Sequence, residues 1–347
     1  FIMNILDDFQ VSIYVASVIA FILSGLFCFL IINFYKNYKF KNSSQKRLNS
    51  IGVIPLGGVA MAVSFFISVR LLGEADPKMV NISIFALSIS ILGVLDDFYE
   101  LSWRLKILFQ FIFVGVPIYI FEQTINIEFL LRVDINNILN FIFTTLWVIT
   151  LINSINFIDN MDGFAAVNCM FICIAITLLS FISNQNYLAD VSLILFFCLL
   201  GFLIFNFPPA KVYMGDSGSL FVGFIFGFIS ILFSWNPSGI SGLYNSIAPV
   251  FLFFTIPLLD FLTVLVYRIR NNIPPTTGGT DHISHRLLNR GYTIENIIFI
   301  FITMNLFVFI IIGITIQLDK FANTAFIIYL ISIVSIFIKF QNMKPLD

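Results

Sequence analysis

Residues 153–163, N-S-I-N-F-I-D-N-M-D-G, place Asn153, Asn156, Asp159, Asn160 and Asp162 within one short stretch. Asn153, Asn156 and Asn160 follow i, i+3, i+7 spacing, so one helix end could aim several oxygens into a shared space. Oxygen donors suit Mg²⁺, which takes one or two protein ligands and completes its shell with water and substrate phosphate. The competing reading is an Asn/Asp/Gly turn between two helices, although such a turn rarely needs this many polar groups.

A second constellation, Y-M-G-D-S-G-S, follows Lys211 and a Pro208-Pro209 pair. Gly215 and Gly218 let the backbone approach a ligand, and N–H groups at a helix start attract phosphate. Asp216 then reads as a metal ligand and Ser217 or Ser219 as a helix cap, but an aspartate capping the helix accounts for the pattern equally well. Lys211 reads either as a phosphate contact or as a charge anchoring the chain at a membrane face. A third pair, Asp96 and Asp97, ends an apolar run. Neighbours on a helix point about 100° apart, so both carboxylates meet one ligand only at a fraying end or in a loop. The bland reading is a solvated helix end neutralised by Arg104 and Lys106. The last constellation, G-G-T-D-H-I-S-H-R at 278–286, carries both histidines of the chain. A Zn²⁺ site there has only Asp281 as a near third ligand. A basic patch for an anionic substrate fits better, with Arg286 gripping a phosphate through two N–H groups. Asp260, two turns inside an apolar run, reads as a structural hydrogen-bonder or a partner of Arg268.

The elements that position these groups are membrane helices. The 347 residues are 59% hydrophobic and only 11% charged, with 44 Phe and a mean hydropathy of +1.00. One soluble core cannot absorb that apolar surface. Eleven spans are expected, near 11–35, 52–72, 79–95, 106–121, 138–155, 164–183, 190–207, 218–234, 247–268, 293–316 and 323–340. The first is expected to remain a span, because Asp7 and Asp8 precede it where a cleaved leader carries basic residues. Alternate connecting segments hold 14 of the 18 basic residues, including Lys46, Arg47, Lys211, Arg286 and Lys344. The positive-inside rule makes that set cytoplasmic, with the N-terminus outside. All four constellations fall in the same set. Cys28, Cys169, Cys173 and Cys198 lie in apolar runs without companion ligands and are expected to be buried thiols. The expected fold is thus an all-α polytopic membrane protein of about eleven transmembrane helices (ten is the alternative count), one integral-membrane domain over 1–347.

I-P-L-G-G at 54–58, Asp96-Asp97, N-x-x-N-x-x-D at Asn153, Asn156 and Asp159, G-D-S-G-S at 215–219 and a His-containing loop before the last two spans recur together in one family. In order, spacing and topology, the chain resembles the polyprenyl-phosphate N-acetylhexosamine-1-phosphate transferases of glycosyltransferase 4 type, which include MraY, WecA and TagO. That resemblance implies transfer of a sugar-1-phosphate, GlcNAc-1-phosphate first among them, from a UDP-sugar to undecaprenyl or another polyprenyl phosphate. The products are UMP and a lipid-linked diphosphate sugar that initiates a cell-envelope glycan. It also implies Mg²⁺, with Mn²⁺ as a substitute, on Asn156 and Asp216, and catalytic roles for Asp96 and Asp97. Asn153, Asp159, Asp162, Lys46, Lys211, His282, His285 and Arg286 are implied on the substrate side. The inner membrane is the implied location, with a cytoplasmic site, and a homodimer is a candidate assembly. Ser284 stands where WecA-like members commonly have a further His, and the triple His of MraY is absent, which argues against a UDP-N-acetylmuramoyl-peptide donor. Asn160 stands where a Gly is common.

The residues suit this chemistry apart from the resemblance. Transfer between phosphates gathers negative charge, and oxygen ligands, a cation and a basic clamp offset it. Asp96 either deprotonates the lipid phosphate or attacks the donor to form an aspartyl phosphate. The rival class is a polytopic secondary transporter, whose charges should lie near the bilayer midplane in repeat-related halves. CDP-alcohol phosphotransferases need a D-G-x-x-A-R run that is missing.

Overall fold

The structure, a computed structural model, describes residues 12–37, 53–72, 77–125, 137–233, 251–317 and 319–345. Lys46 lies outside the described residues. Regular structure among the described residues is helical, apart from isolated bridges such as the parallel pair Ile54–Val212. The described residues fall into two compact units, unit one up to Phe233 and unit two from residue 251 onward.

In unit one, α1 spans Ile13–Asn37, α2 Gly57–Leu71, α3 Pro77–Tyr99, α4 Trp103–Phe121, α5 Asn137–Ile158, α6 Phe164–Ile182, α7 Asn186–Asn206 and α8 Gly215–Leu232. In unit two, α9 spans Thr255–Arg270, α10 Ile283–Asn289, α11 Ile294–Gln317 and α12 Asp319–Gln341. Nine helices among the described residues are long and apolar enough to cross a membrane. Of the eleven spans expected, the two exceptions are α2, with 15 residues, and α9, with 16. Both are shorter than a bilayer crossing of about 20 residues. The chain is an all-α, multi-pass membrane protein.

Helix α8 forms the centre of unit one: 83% of its span is buried, against 28% for α1 and α4. It packs against α2, α3 and α5, with Phe65 of α2 edge-on to Phe221 at 5.4 Å. Tyr14, Val18, Ile22 and Phe29 of α1 stay exposed, as suits a face turned to lipid, where apolar exposure carries no cost. The close approach of α3 to α8 depends on Gly93, whose missing Cβ would collide with the backbone of Asp216 and Ser217.

Three helix ends differ from expectation in ways that matter for the site. Helix α3 runs past 95 to Tyr99 before Glu100 takes a left-handed φ of 49°, so Asp96 and Asp97 sit in its last turn. Helix α5 continues to Ile158, which puts Asn153 and Asn156 inside it. Helix α8 begins at Gly215 rather than 218, so Asp216 belongs to its first turn, where a negative charge complements the helix dipole. The start of α8 is fixed from outside: Tyr213 N–H donates to Ile54 O at 2.9 Å, and Gly57 and Gly58 N–H donate to Tyr213 O and Met214 O at 2.9 and 3.0 Å. The I-P-L-G-G segment is thus a backbone splint for G-D-S-G-S.

Candidate active site

Four helices of unit one bring Asp96, Lys106, Asn156 and Asp216 together. Lys106, from the first turn of α4, forms an ion pair with Asp96 Oδ2 and reaches Asp216 Oδ2 at 3.4 Å. Asn156 Nδ2 donates to Asp216 Oδ1 at 2.9 Å and to Ser219 Oγ at 2.8 Å. Asp216 therefore has one oxygen facing an ammonium and one facing an amide. Asp96 is buried, and its Oδ1 accepts from Leu101 N at 2.8 Å, which folds the α3–α4 connection back over the carboxylate.

Asp97 points away from Asp96, as the turn of the helix requires. Its two oxygens accept from the backbone N–H groups of Asp216 (3.1 Å) and Ser217 (3.3 Å). It thus caps α8 from a neighbouring helix, satisfying donors that the first turn leaves orphaned. Gly215 makes this possible: its φ is 69°, and a Cβ there would lie 2.6 Å from Asp97 Oδ2. Neither Ser217 nor Ser219 caps the helix with its side chain; both hydroxyls donate to carbonyls, of Met214 and Gly215.

The asparagines do not converge as their spacing suggests. Asn153 Nδ2 donates to Gln110 Oε1 at 2.9 Å, which ties α5 to α4. Asn160 Nδ2 donates to Phe157 O. Asp162 Oδ2 accepts from Ala210 N at 3.0 Å, and Asn206 bridges Gly163 N and Val212 O. These bonds staple the turn after α5 to the segment before α8. Asp159 is buried just beyond the end of α5, and Lys211 is exposed.

Unit two holds its own charged cluster. Arg268 makes two hydrogen bonds to Asp281, from Nε at 2.6 Å and Nη2 at 2.7 Å. Burial alone would raise the Asp281 carboxyl, but the hydrogen bonds and charge of Arg268 outweigh it and hold the group below its usual range. Asp260 is therefore not the partner of Arg268. Its Oδ2 lies 2.8 Å from His282 Nδ1, and its Oδ1 accepts from Ile283 N at 2.7 Å. Arg286 is fully buried. Its Nε donates to Asp281 O, its Nη1 to Phe340 O and Met343 O at 2.9 and 2.7 Å, and its plane lies 4.6 Å from the Tyr267 ring. Burial lowers its pKa. Arg286 thus clamps the chain that leaves α12 through Nε and Nη1, while its buried Nη2 has no hydrogen-bond partner among the described residues. His285 is also buried; burial first, then the charge of His282, pushes its imidazole down to about 4, and its Nδ1 has no hydrogen-bond partner among the described residues. A cavity of about 510 Å³ beside this cluster is lined by Tyr267, Arg268, Thr277, Gly279, Thr280 and Lys344, among others.

Lys106 and Gln110 are the participants that sequence reasoning missed or took only for neighbours. Their signal was position on α4, the helix after the Asp pair. Among the described residues no three His, Cys, Asp or Glu side chains converge as a metal site. All four cysteines are free and buried. A divalent ion held by one carboxylate and one amide, with its shell completed by water and phosphate, remains consistent with Asp216 and Asn156, because hard cations of the Mg²⁺ type ask for no more protein ligands than that.

Acids, an amide and a lysine gathered at one helix N-terminus of a multi-pass membrane protein suit a phosphorylated ligand, since helix N-termini attract phosphate. Residues 79–234 match the glycosyl transferase family 4 model. A probable undecaprenyl-phosphate N-acetylglucosaminyl 1-phosphate transferase of Bacillus subtilis (strain 168) is 30% identical over 292 residues, covering 79% of this chain and 78% of that protein. Phospho-N-acetylmuramoyl-pentapeptide-transferases of Staphylococcus carnosus (strain TM300) and Staphylococcus saprophyticus are each 27% identical, covering 63% of this chain and 76% of theirs. The chain belongs to glycosyl transferase family 4 and is a sugar-1-phosphate transferase, more similar to the N-acetylglucosaminyl relative than to the muramoyl-pentapeptide ones. The transporter alternative falls with that membership.

Proposed function

We propose that this protein transfers N-acetylglucosamine-1-phosphate from UDP-N-acetylglucosamine to undecaprenyl phosphate and releases UMP, beginning a cell-envelope glycan. The observation that carries this reading is the meeting of Asp96, Lys106, Asn156 and Asp216 from four helices of unit one. The activity for which the Bacillus subtilis relative is named supports the choice of sugar and lipid. The concentration of basic residues in alternate segments supports a cytoplasmic site.

Asp216 and Asn156 are the side chains that would hold Mg²⁺. When bound, that ion neutralises and polarises the donor diphosphate. Asp96 takes the remaining proton of the lipid phosphate, whose second pKa lies near 6. Lys106 offsets charge on Asp96 before the substrates arrive and on phosphate oxygens once they are bound. Asp97 holds the N-terminus of α8, and therefore Asp216, in place. Asn153, Asp159, Asp162 and Lys211 line or brace the nucleotide side.

The test is UMP release by purified protein in detergent or nanodiscs, with Mg²⁺, undecaprenyl phosphate and a panel of UDP-sugars. Release confined to UDP-N-acetylglucosamine is the expected result. Release with another UDP-sugar replaces the proposed donor, and no release from any of them by folded protein sinks the reading of the site.

A further inference from the structure

Helix α4 carries one amide side chain, Gln110, and it is 1% exposed. The buried positions of this helix are Gln110, Val114, Gly115, Pro117 and Ile118, a stripe at helical spacing. Continued one turn back, the same spacing reaches Lys106. Leu105, Leu108, Ile112, Val116 and Tyr119 are exposed, as suits a side turned to lipid.

Gln110 Oε1 accepts from Asn153 Nδ2 at 2.9 Å, and the same NH₂ group donates to Ile149 O at 2.8 Å. A backbone carbonyl only accepts, so Ile149 fixes which end of the Asn153 amide faces it, and the Gln110 oxygen completes the arrangement. The bond lies one turn from the active-site cluster on both helices: Gln110 is four residues after Lys106 on α4, and Asn153 is three before Asn156 on α5. At the cluster, Lys106 reaches Asp216 Oδ2 at 3.4 Å, and Asn156 donates to Asp216 Oδ1 at 2.9 Å. Two rungs thus join the same pair of helices. One runs directly from Gln110 to Asn153, the other from Lys106 to Asn156 through the Asp216 carboxylate.

In lipid no hydrophobic force presses α4 onto α5, and side chains that hydrogen-bond across helices take up part of that task. Such a bond is also directional, so it opposes rotation and sliding that a smooth apolar face tolerates. Beyond the far end of α4, Ile125 N donates to Thr144 Oγ1 of α5 at 2.8 Å. Gln110 is the pin beside Lys106. The Lys106 ammonium sits on a flexible four-carbon stem between carboxylates of two other helices, and it stays there only while the base of that stem is held.

We propose that Gln110 is a positioning residue for the transfer reaction: through Asn153 it sets the rotation and register of α4, and so holds Lys106 against the Asp216 carboxylate. This rests on the transferase reading above. Gln110 acts through Lys106 and not on a substrate.

Gln110→Met keeps the length and bulk of the side chain and removes the acceptor. The expected result is a kcat for UMP release about tenfold lower. In a Lys106→Met background the same change should cost nothing further, because both act through one ammonium. A lower unfolding temperature with full kcat, or losses that multiply in the double variant, overturns the proposal.

The second readout needs no turnover. Mn²⁺ titrated by electron paramagnetic resonance senses the ammonium beside Asp216, so Gln110→Met should shift Mn²⁺ affinity in the same direction as Lys106→Met, by about two- to fivefold. Unchanged affinity, or a shift of opposite sign, overturns the proposal. Gln110→Asn alone falls short of Asn153 and should show both effects, whereas Gln110→Asn with Asn153→Gln moves one methylene across the bond and should return both towards wild type. A pair no better than Gln110→Asn overturns the proposal even if Gln110→Met does not fold. A protein with the expected Mn²⁺ shifts that releases no UMP from any UDP-sugar indicts the transferase reading instead.

Discussion

Asp216 and Lys106 in unit one keep 28% and 31% of their side chains exposed, whereas Asp281 and Arg268 in unit two keep 8% and 3%. Both are acid–base pairs beside the ends of apolar helices, and in the sequence they look alike. The first is loose: Lys106 is shared between two carboxylates, and Asp216 is shared between an ammonium and an amide. The second is closed, with two short hydrogen bonds filling the carboxylate. Shared, half-exposed charges can be re-paired by an incoming cation or phosphate. A buried, saturated pair is strongly resistant to losing one partner, because the survivor is left uncompensated. On the proposed function, chemistry belongs to the open pair and architecture to the closed one.

The largest effect that would break this contrast is at Asp216. Asp216→Asn keeps the shape and removes the charge, and kcat for UMP release should fall about a thousandfold or more with the fold intact by circular dichroism. Arg286→Met should act the other way round. It leaves the carbonyls of Asp281, Phe340 and Met343 without a donor, so stability falls by about 3 kcal/mol, read as a lower unfolding temperature in detergent. A stable Arg286→Met protein with only a raised donor KM would return Arg286 to the substrate.

His285 gives the comparison a pH axis. Its folded pKa of about 4 lies below the ordinary 6.5, so the unfolded chain binds more protons between those values. Stability should then be full above about pH 6.5 and decline as pH falls towards 4, by at most about 3 kcal/mol. His285→Leu should flatten that part of the unfolding profile. In unit one, Lys106→Met leaves Asp96 and Asp216 without their shared ammonium, and Mn²⁺ titrated by electron paramagnetic resonance should bind about tenfold tighter. Weaker binding would mean that Lys106 supports the metal rather than standing in its place. The smallest effect is at Asp97: losing one acceptor at the α8 N-terminus in Asp97→Asn should cost about 1 kcal/mol, with a smaller loss of kcat than Asp96→Asn. Equal losses would make both carboxylates catalytic.

Much of the site was legible before the structure. Asp96, Asn156 and Asp216 stood out because acids and amides are rare at the ends of apolar spans and need compensation there. What could not be read was which neighbour each would meet. Asp96 and Asp97 look equivalent side by side, yet a turn of about 100° sends one to Lys106 and the other to backbone amides. Asn153 and Asn156 share a helical spacing, yet one braces α4 and the other faces Asp216. Arg286 sits in a polar run that invites a phosphate, and only the return of α12 shows that carbonyls take up its Nη1.

The sequence by itself determined the membrane architecture, the family and the short list of chemistry-bearing residues. Long apolar runs admit only helices in lipid, and motif order survives without coordinates. Tertiary structure alone decided which acids are shared and open and which are capped or closed. Several of those outcomes depend on contacts between residues 60 to 120 positions apart, such as Asn156 with Asp216 and Asp97 with Ser217. The periodicity of a single helix says which way a side chain faces, but not what stands opposite it.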